Sequence, residues 1–163
     1  MLSKERKIPQ KLFVIKTYQN LLQIEIVLNN ITQKNNIPLQ VSILGPLTAN
    51  KTIPKKELKK TITYIKKQLS TALGKEFQFG YFHNPEVGSL FIAGHLTPTF
   101  LNKVDKRELA ALPAGLSGIF RGLGTNIENI DNYLTALKNN NYCLIIRGES
   151  NLLDAVKPIL NAC

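Results

Sequence analysis

KLFVIKTYQNLLQIEIVLNNITQKNNIPLQVSIL, residues 11–44, decides the fold class, because its hydrophobic period changes twice. Lys11 to Tyr18 holds four consecutive apolar residues with β-branched and aromatic members, which predicts a strand. Leu21, Ile24, Leu28 and Ile31 then recur at helical spacing, with Leu22 and Val27 widening the face. The helix is expected to stop at Asn35-Asn36, ahead of Pro38. Leu39 to Leu44 reads as a second strand, closed by Gly45-Pro46. The segment is thus a β–α–β unit, whose crossover should be right-handed if its strands are parallel.

Outward from this unit, residues 54–73 carry the clearest helical period of the chain. Leu58, Ile62, Ile65, Leu69, Ala72 and Leu73 form one apolar stripe, Pro54 suits the first turn and Gly74 the stop. Phe77, Phe79 and Tyr81 alternate within EFQFGYFH (76–83), the pattern of a strand with one aromatic face. Asn84-Pro85-Glu86 turns the chain into GSLFIAGH (88–95), completing a hairpin. Residues 97–124 look irregular and glycine-rich, with a short helix expected around Asp105 to Ala111. Thr125-Asn126-Ile127-Glu128 fits a capping box ahead of a helix bearing Ile127, Ile130, Leu134 and Leu137. YCLIIR (142–147) is a strand, and Ser150 is placed as the cap of a last helix that Pro158 should kink or end.

Strands, helices and their order predict one α/β domain over residues 1–163, a ferredoxin-like open α/β sandwich. An inserted basic amphipathic helix (51–75) and a C-terminal helix complete it. No apolar run approaches the roughly 18–20 residues that span a membrane, and the N-terminus makes a poor signal peptide. Cys143 and Cys163 form no CxxC pair, so a reducing, cytoplasmic setting is expected, with Cys143 a buried small hydrophobe.

The net charge of +10 is unevenly placed. Residues 1–75 hold 14 Lys/Arg against three Asp/Glu, whereas the remainder is close to neutral. Lys55, Lys56, Lys59, Lys60, Lys66 and Lys67 lie away from the apolar stripe of their helix. Such a face is ordinarily just solvated. The sharper readings are a field for nucleic-acid phosphates, or for an anionic membrane surface or acidic partner. The absence of arginine on this helix favours a diffuse field over bidentate readout. The neighbouring aromatics read first as core or interface residues, and secondly as a surface on which bases stack.

Other chemistry is sparse. Arg121, Gly122, Gly124 and Thr125 precede a helix N-terminus where backbone donors would meet a small anion or nucleotide phosphate, although Glu128 opposes it. His83 and His95 flank the hairpin, but two histidines and Glu86 are thin support for a metal site. No GxSxG elbow or cysteine nucleophile signature is present. The sequence therefore predicts a protein that is not an enzyme and takes neither cofactor nor metal.

HNPEVGSLFIAGHL (83–96) and GIFRGLGTNIENIDNYLTALKNNNYCLIIRG (118–148) resemble the bacterial heat-induced or general stress protein domain family. The likeness rests on structural glycines, on Tyr133 and Ala136-Leu137 in the helix, and on the strand Leu144 to Gly148. It implies a ferredoxin-like fold and a soluble bacterial accessory protein, stress-related, acting through self-association or a protein partner. It carries over no catalytic or ligand residues, and the lysine helix is not expected from it.

Overall fold

The computed structural model describes residues 11–34, 39–47 and 54–162. Its elements are β1 (Lys11–Tyr18), α1 (Leu21–Lys34), β2 (Gln40–Pro46), α2 (Lys55–Leu73), β3 (Phe79–Asn84) and β4 (Gly88–Gly94). There follow α3 (Thr97–Leu101), the short strands β5 (Lys103–Val104) and β6 (Arg107–Glu108), and a 3₁₀ turn at Leu109–Ala111. The chain closes with α4 (Gly115–Gly122), α5 (Ile127–Lys138), β7 (Tyr142–Glu149) and α6 (Ser150–Asn161). The expected helix stop at Asn35-Asn36 and Cys163 lie outside the described residues.

Five strands form one antiparallel sheet in the order β1-β7-β2-β4-β3, and β5 pairs only with β6. β1 and β2 run the same way with β7 between them, and β4 and β7 run the same way around β2. Two β–α–β units are thus interleaved. Period-two strand patterning then separates two apolar layers. Ile43, Phe91, Leu144 and Ile146 face α1, α2 and α6, whereas Leu44, Ile92, Cys143 and Ile145 face α3, α4 and α5. The sheet is covered on both sides, which explains why its central strands read as continuous apolar runs. The two crossovers traverse the sheet in opposite directions and lie on opposite faces, so they are of opposite hand. Only one of them can follow the right-handed preference.

Several local expectations require correction. β2 does not close at Gly45-Pro46; both residues belong to the strand, pairing with Phe91 and Leu90. A Cβ at Gly45 would run into the Tyr142 ring. β3 begins at Phe79 rather than Glu76, so Phe77 precedes the strand. The helix expected around Asp105 to Ala111 is instead the β5–β6 hairpin and the 3₁₀ turn, with Asp105 and Lys106 at positive φ. Pro158 does not end α6, which continues to Asn161. Nor does Ser150 cap that helix; Glu149 stands at the N-cap position and makes no side-chain cap bond.

The 97–124 segment is more ordered than its glycines suggest. Leu116, Ile119 and Phe120 give α4 a buried face at i, i+3 and i+4, and Phe100 of α3 joins the same layer. Asn84 ties this segment to the sheet. Its Oδ1 accepts from the Glu86 and Val87 amides, while its Nδ2 donates to the Ala110 and Leu112 carbonyls.

Candidate functional site

α2 forms because its apolar residues recur on one stripe, with Ile65 and Leu69 buried against the sheet. Pro54 precedes its first turn, and Gly74 ends it at φ 88°, its amide donating to the Ser70 carbonyl at 3.0 Å. Docking that stripe leaves Lys55, Lys56, Lys59, Lys60, Lys66 and Lys67 all exposed. At 100° and 1.5 Å per residue they occupy an arc of roughly 140° over about 18 Å of helix. Glu57 is the acidic residue of the first turn. Among the described residues the sole ion pair is Lys157 with Asp154, at 3.4 Å on α6. The lysines of α2 therefore have no ion-pair partner among the described residues, and the pairs Lys55/Lys59 and Lys56/Lys60 repel across one turn.

The Gly74 stop turns the chain so that the aromatic strand runs back beside the lysine face. Lys66, Lys67, Ser70, Lys75, Phe77 and Phe79 line a groove of about 410 Å³. Lys66 Nζ lies 5.1 Å from the centroid of the Phe79 ring, within cation–π range. Phe79 in turn stacks on buried Phe91, with centroids 5.9 Å apart and planes 14° apart. Tyr81, two residues further along the same face of β3, is 49% exposed. The two sequence features, basic helix and aromatic stripe, form one surface.

Lys75 and Ser70 were not marked by helical spacing, since one follows the stop and the other flanks the apolar stripe. A lysine directly after a helix-ending glycine was the available signal. A second cleft, also of about 410 Å³, meets this groove at Phe77 and includes Leu28, Leu39, Leu73, Glu76 and His95.

The glycine segment at 121–125 turns the chain, with its amides engaged inside the fold. Gly124, at φ 92°, sends its amide to the Arg121 carbonyl, and the Thr125 amide bonds the Phe120 carbonyl. This is the Schellman arrangement that ends α4, so both donors are already committed. The N-cap of α5 is Asn126, not Thr125, its side chain accepting from the Asn129 amide at 2.9 Å. Arg121, Gly122 and Gly124 are exposed around this turn.

The histidines do not meet. His83 sits opposite Ser89 near the hairpin turn, its Nδ1 3.1 Å from Ser89 Oγ. His95 follows β4 at the other end, roughly 20 Å away at strand rise. Burial, and then the charges of Arg147 and Lys11, push the His95 pKa below its usual value. Among the described residues no group of three His, Cys, Asp or Glu is placed to hold a metal ion. No helix of the described residues is long and apolar enough to cross a membrane.

Comparison with protein families, with curated proteins and with solved structures gives no match.

Proposed function

We propose that this protein is a non-enzymatic binding module for an extended polyanion, with α2 as its docking face. The observation that carries the reading is the lysine face, without an ion-pair partner among the described residues and continuous through Lys66 with the Phe79 groove. Six like charges along one helix raise the local anion concentration without fixing a sequence or a geometry. Binding of this kind requires neither cofactor nor reaction.

The test is a titration with a fluorescent 20-nucleotide strand at 50 to 200 mM salt. Release of counterions by six lysines gives a slope of log affinity on log salt of about −4 to −5. Replacing Lys55, Lys56, Lys59, Lys60, Lys66 and Lys67 by Glu should abolish binding while leaving the circular dichroism spectrum unchanged. Equal affinity in that variant rules the helix out.

The fold bears on the biological setting. Interleaved β–α–β units are a feature shared with ferredoxin-like sandwiches, although here the two crossovers lie on opposite faces of the sheet and a fifth strand is added. With the resemblance of residues 83–148 to stress protein domains, they support a second reading as a bacterial, cytoplasmic accessory protein that self-associates. β3 favours it specifically, because among the described residues no strand pairs with its outer edge. Light scattering at high concentration tests it, and a strict monomer overturns it.

A further inference from the structure

We infer that the polyanion is single-stranded nucleic acid, its bases entering the groove beside β3 and its phosphates lying along α2. The inference rests on the polyanion reading and adds the substrate class. A membrane surface or a duplex needs only the lysines, because neither presents a flat apolar ring to the protein. The groove offers more than charge. Its floor is Phe77 and Phe79, and its rim is Lys66, Lys67 and Lys75 with the Ser70 hydroxyl beside them.

Phe79 is stacked on Phe91 and overlain by the Lys66 ammonium, so a base reaches this ring as Lys66 swings from it to the neighbouring phosphate. Tyr81 continues the platform along the strand with half of its surface open to solvent. An alternating aromatic row next to a lysine row is the chemistry by which unpaired bases are stacked and their backbone tracked, largely without regard to sequence. Glu76 lines the adjoining cleft rather than this groove. The groove volume of about 410 Å³ is of the size that takes individual splayed-out bases.

The experiment compares three probes by anisotropy or sedimentation under one buffer: a 20-nucleotide oligo-uridine, a 20-base-pair duplex, and vesicles of equal phosphatidylserine and phosphatidylcholine. The single strand is expected to bind at least about tenfold more tightly than the duplex. Tyr81→Ala should weaken the single strand by at least about fivefold with no change in its salt slope, because stacking is lost and phosphate contacts are kept. Tyr81→Phe should restore the affinity, since stacking needs the ring and not the hydroxyl, and an unchanged melting temperature of Tyr81→Ala separates lost stacking from lost folding. Lys66→Gln with Lys67→Gln should lower both affinity and slope.

Duplex binding as tight as single-strand binding, vesicle binding alone, or an unchanged Tyr81→Ala variant overturns the inference but leaves α2 as a polyanion face. Failure of all three probes to bind overturns the underlying reading itself.

Discussion

Asn84 Nδ2 donates to the carbonyl of Ala110 at 2.8 Å, joining the β3–β4 turn to the 3₁₀ turn 26 residues later. The side chain is 1% exposed and satisfied on both its atoms, the oxygen by the Glu86 and Val87 amides. One buried amide therefore fixes both the hairpin carrying the aromatic row and the start of the helical layer behind it.

Replacing Asn84 by Ala leaves these backbone groups without that partner, in a site where water has little access. The expected cost is about 2–4 kcal/mol of stability, read as a lower urea midpoint with an unchanged slope. Asn84→Asp should be similarly destabilising, since the carboxylate keeps the acceptor and loses both donors to Ala110 and Leu112.

Two glycines of α4 should respond in opposite senses. A Cβ on Gly115 would collide with the Leu109 carbonyl, whereas a Cβ on Gly118 meets nothing within 4 Å. Gly118→Ala is expected to stabilise by about 0.5–1 kcal/mol through helix propensity, and Gly115→Ala to destabilise. Thermal melts of the two variants check the pair.

That contrast also shows why α4 was hidden in the sequence. Gly115, Gly118 and Gly122 lower intrinsic helix preference, so a period of only Leu116, Ile119 and Phe120 looked like loop. The helix exists because tertiary packing against the sheet outweighs that preference. By contrast, α2 and the β3–β4 hairpin were legible, since long unbroken periodicity and the Asn84-Pro85-Glu86 turn are local signals. The meeting of Lys66 with Phe79 was not legible, because it depends on where Gly74 sends the chain. The Thr125 cap was misplaced by one residue, since Thr125 and Asn126 offer the same capping chemistry and the Schellman turn had already engaged the first.

Cys143 lies between Phe13, Ile15 and the helices of the second layer, and burial pushes its thiol up to about 12. The native protein should therefore resist thiol reagents at pH 8 and react at that position only on unfolding. The sign of the pH effect follows from the proton count. Above the ordinary thiol value of 9.0 the unfolded chain loses this proton while the native chain keeps it, so stability falls between there and about 12. Cys143→Ala should flatten that alkaline decline in urea titrations across pH 8.5 to 10.5.

His95 supplies the acidic counterpart, on a smaller scale because it is largely exposed. Its pKa is lowered by burial, then by Arg147 and Lys11, so the unfolded chain takes up this proton first as pH falls below 6.5. The contribution is present above 6.5 and fades as pH falls through the native value. An NMR titration of the His95 ring should give a midpoint below 6.5, and Arg147→Gln should raise it. A midpoint unmoved by that substitution would show that Arg147 does not contribute, leaving burial and Lys11 to set it.

Stability and binding should trade against one another on α2. Lys55 faces Lys59 and Lys56 faces Lys60 at i, i+4 with no carboxylate partner among the described residues, and each such pair costs about 0.2–0.5 kcal/mol at low salt. Changing Lys59 and Lys60 to Gln removes both repulsions and no buried contact, so the melting temperature should rise slightly at 20 mM salt. The gain should vanish near 0.5 M salt, where the charges are screened. The same variant should bind oligo-uridine more weakly, with a salt slope shallower by about 1–2 units. A melting temperature that falls instead would mean that these lysines support the fold through contacts other than charge, and would remove the physical basis for treating the face as reserved for a ligand.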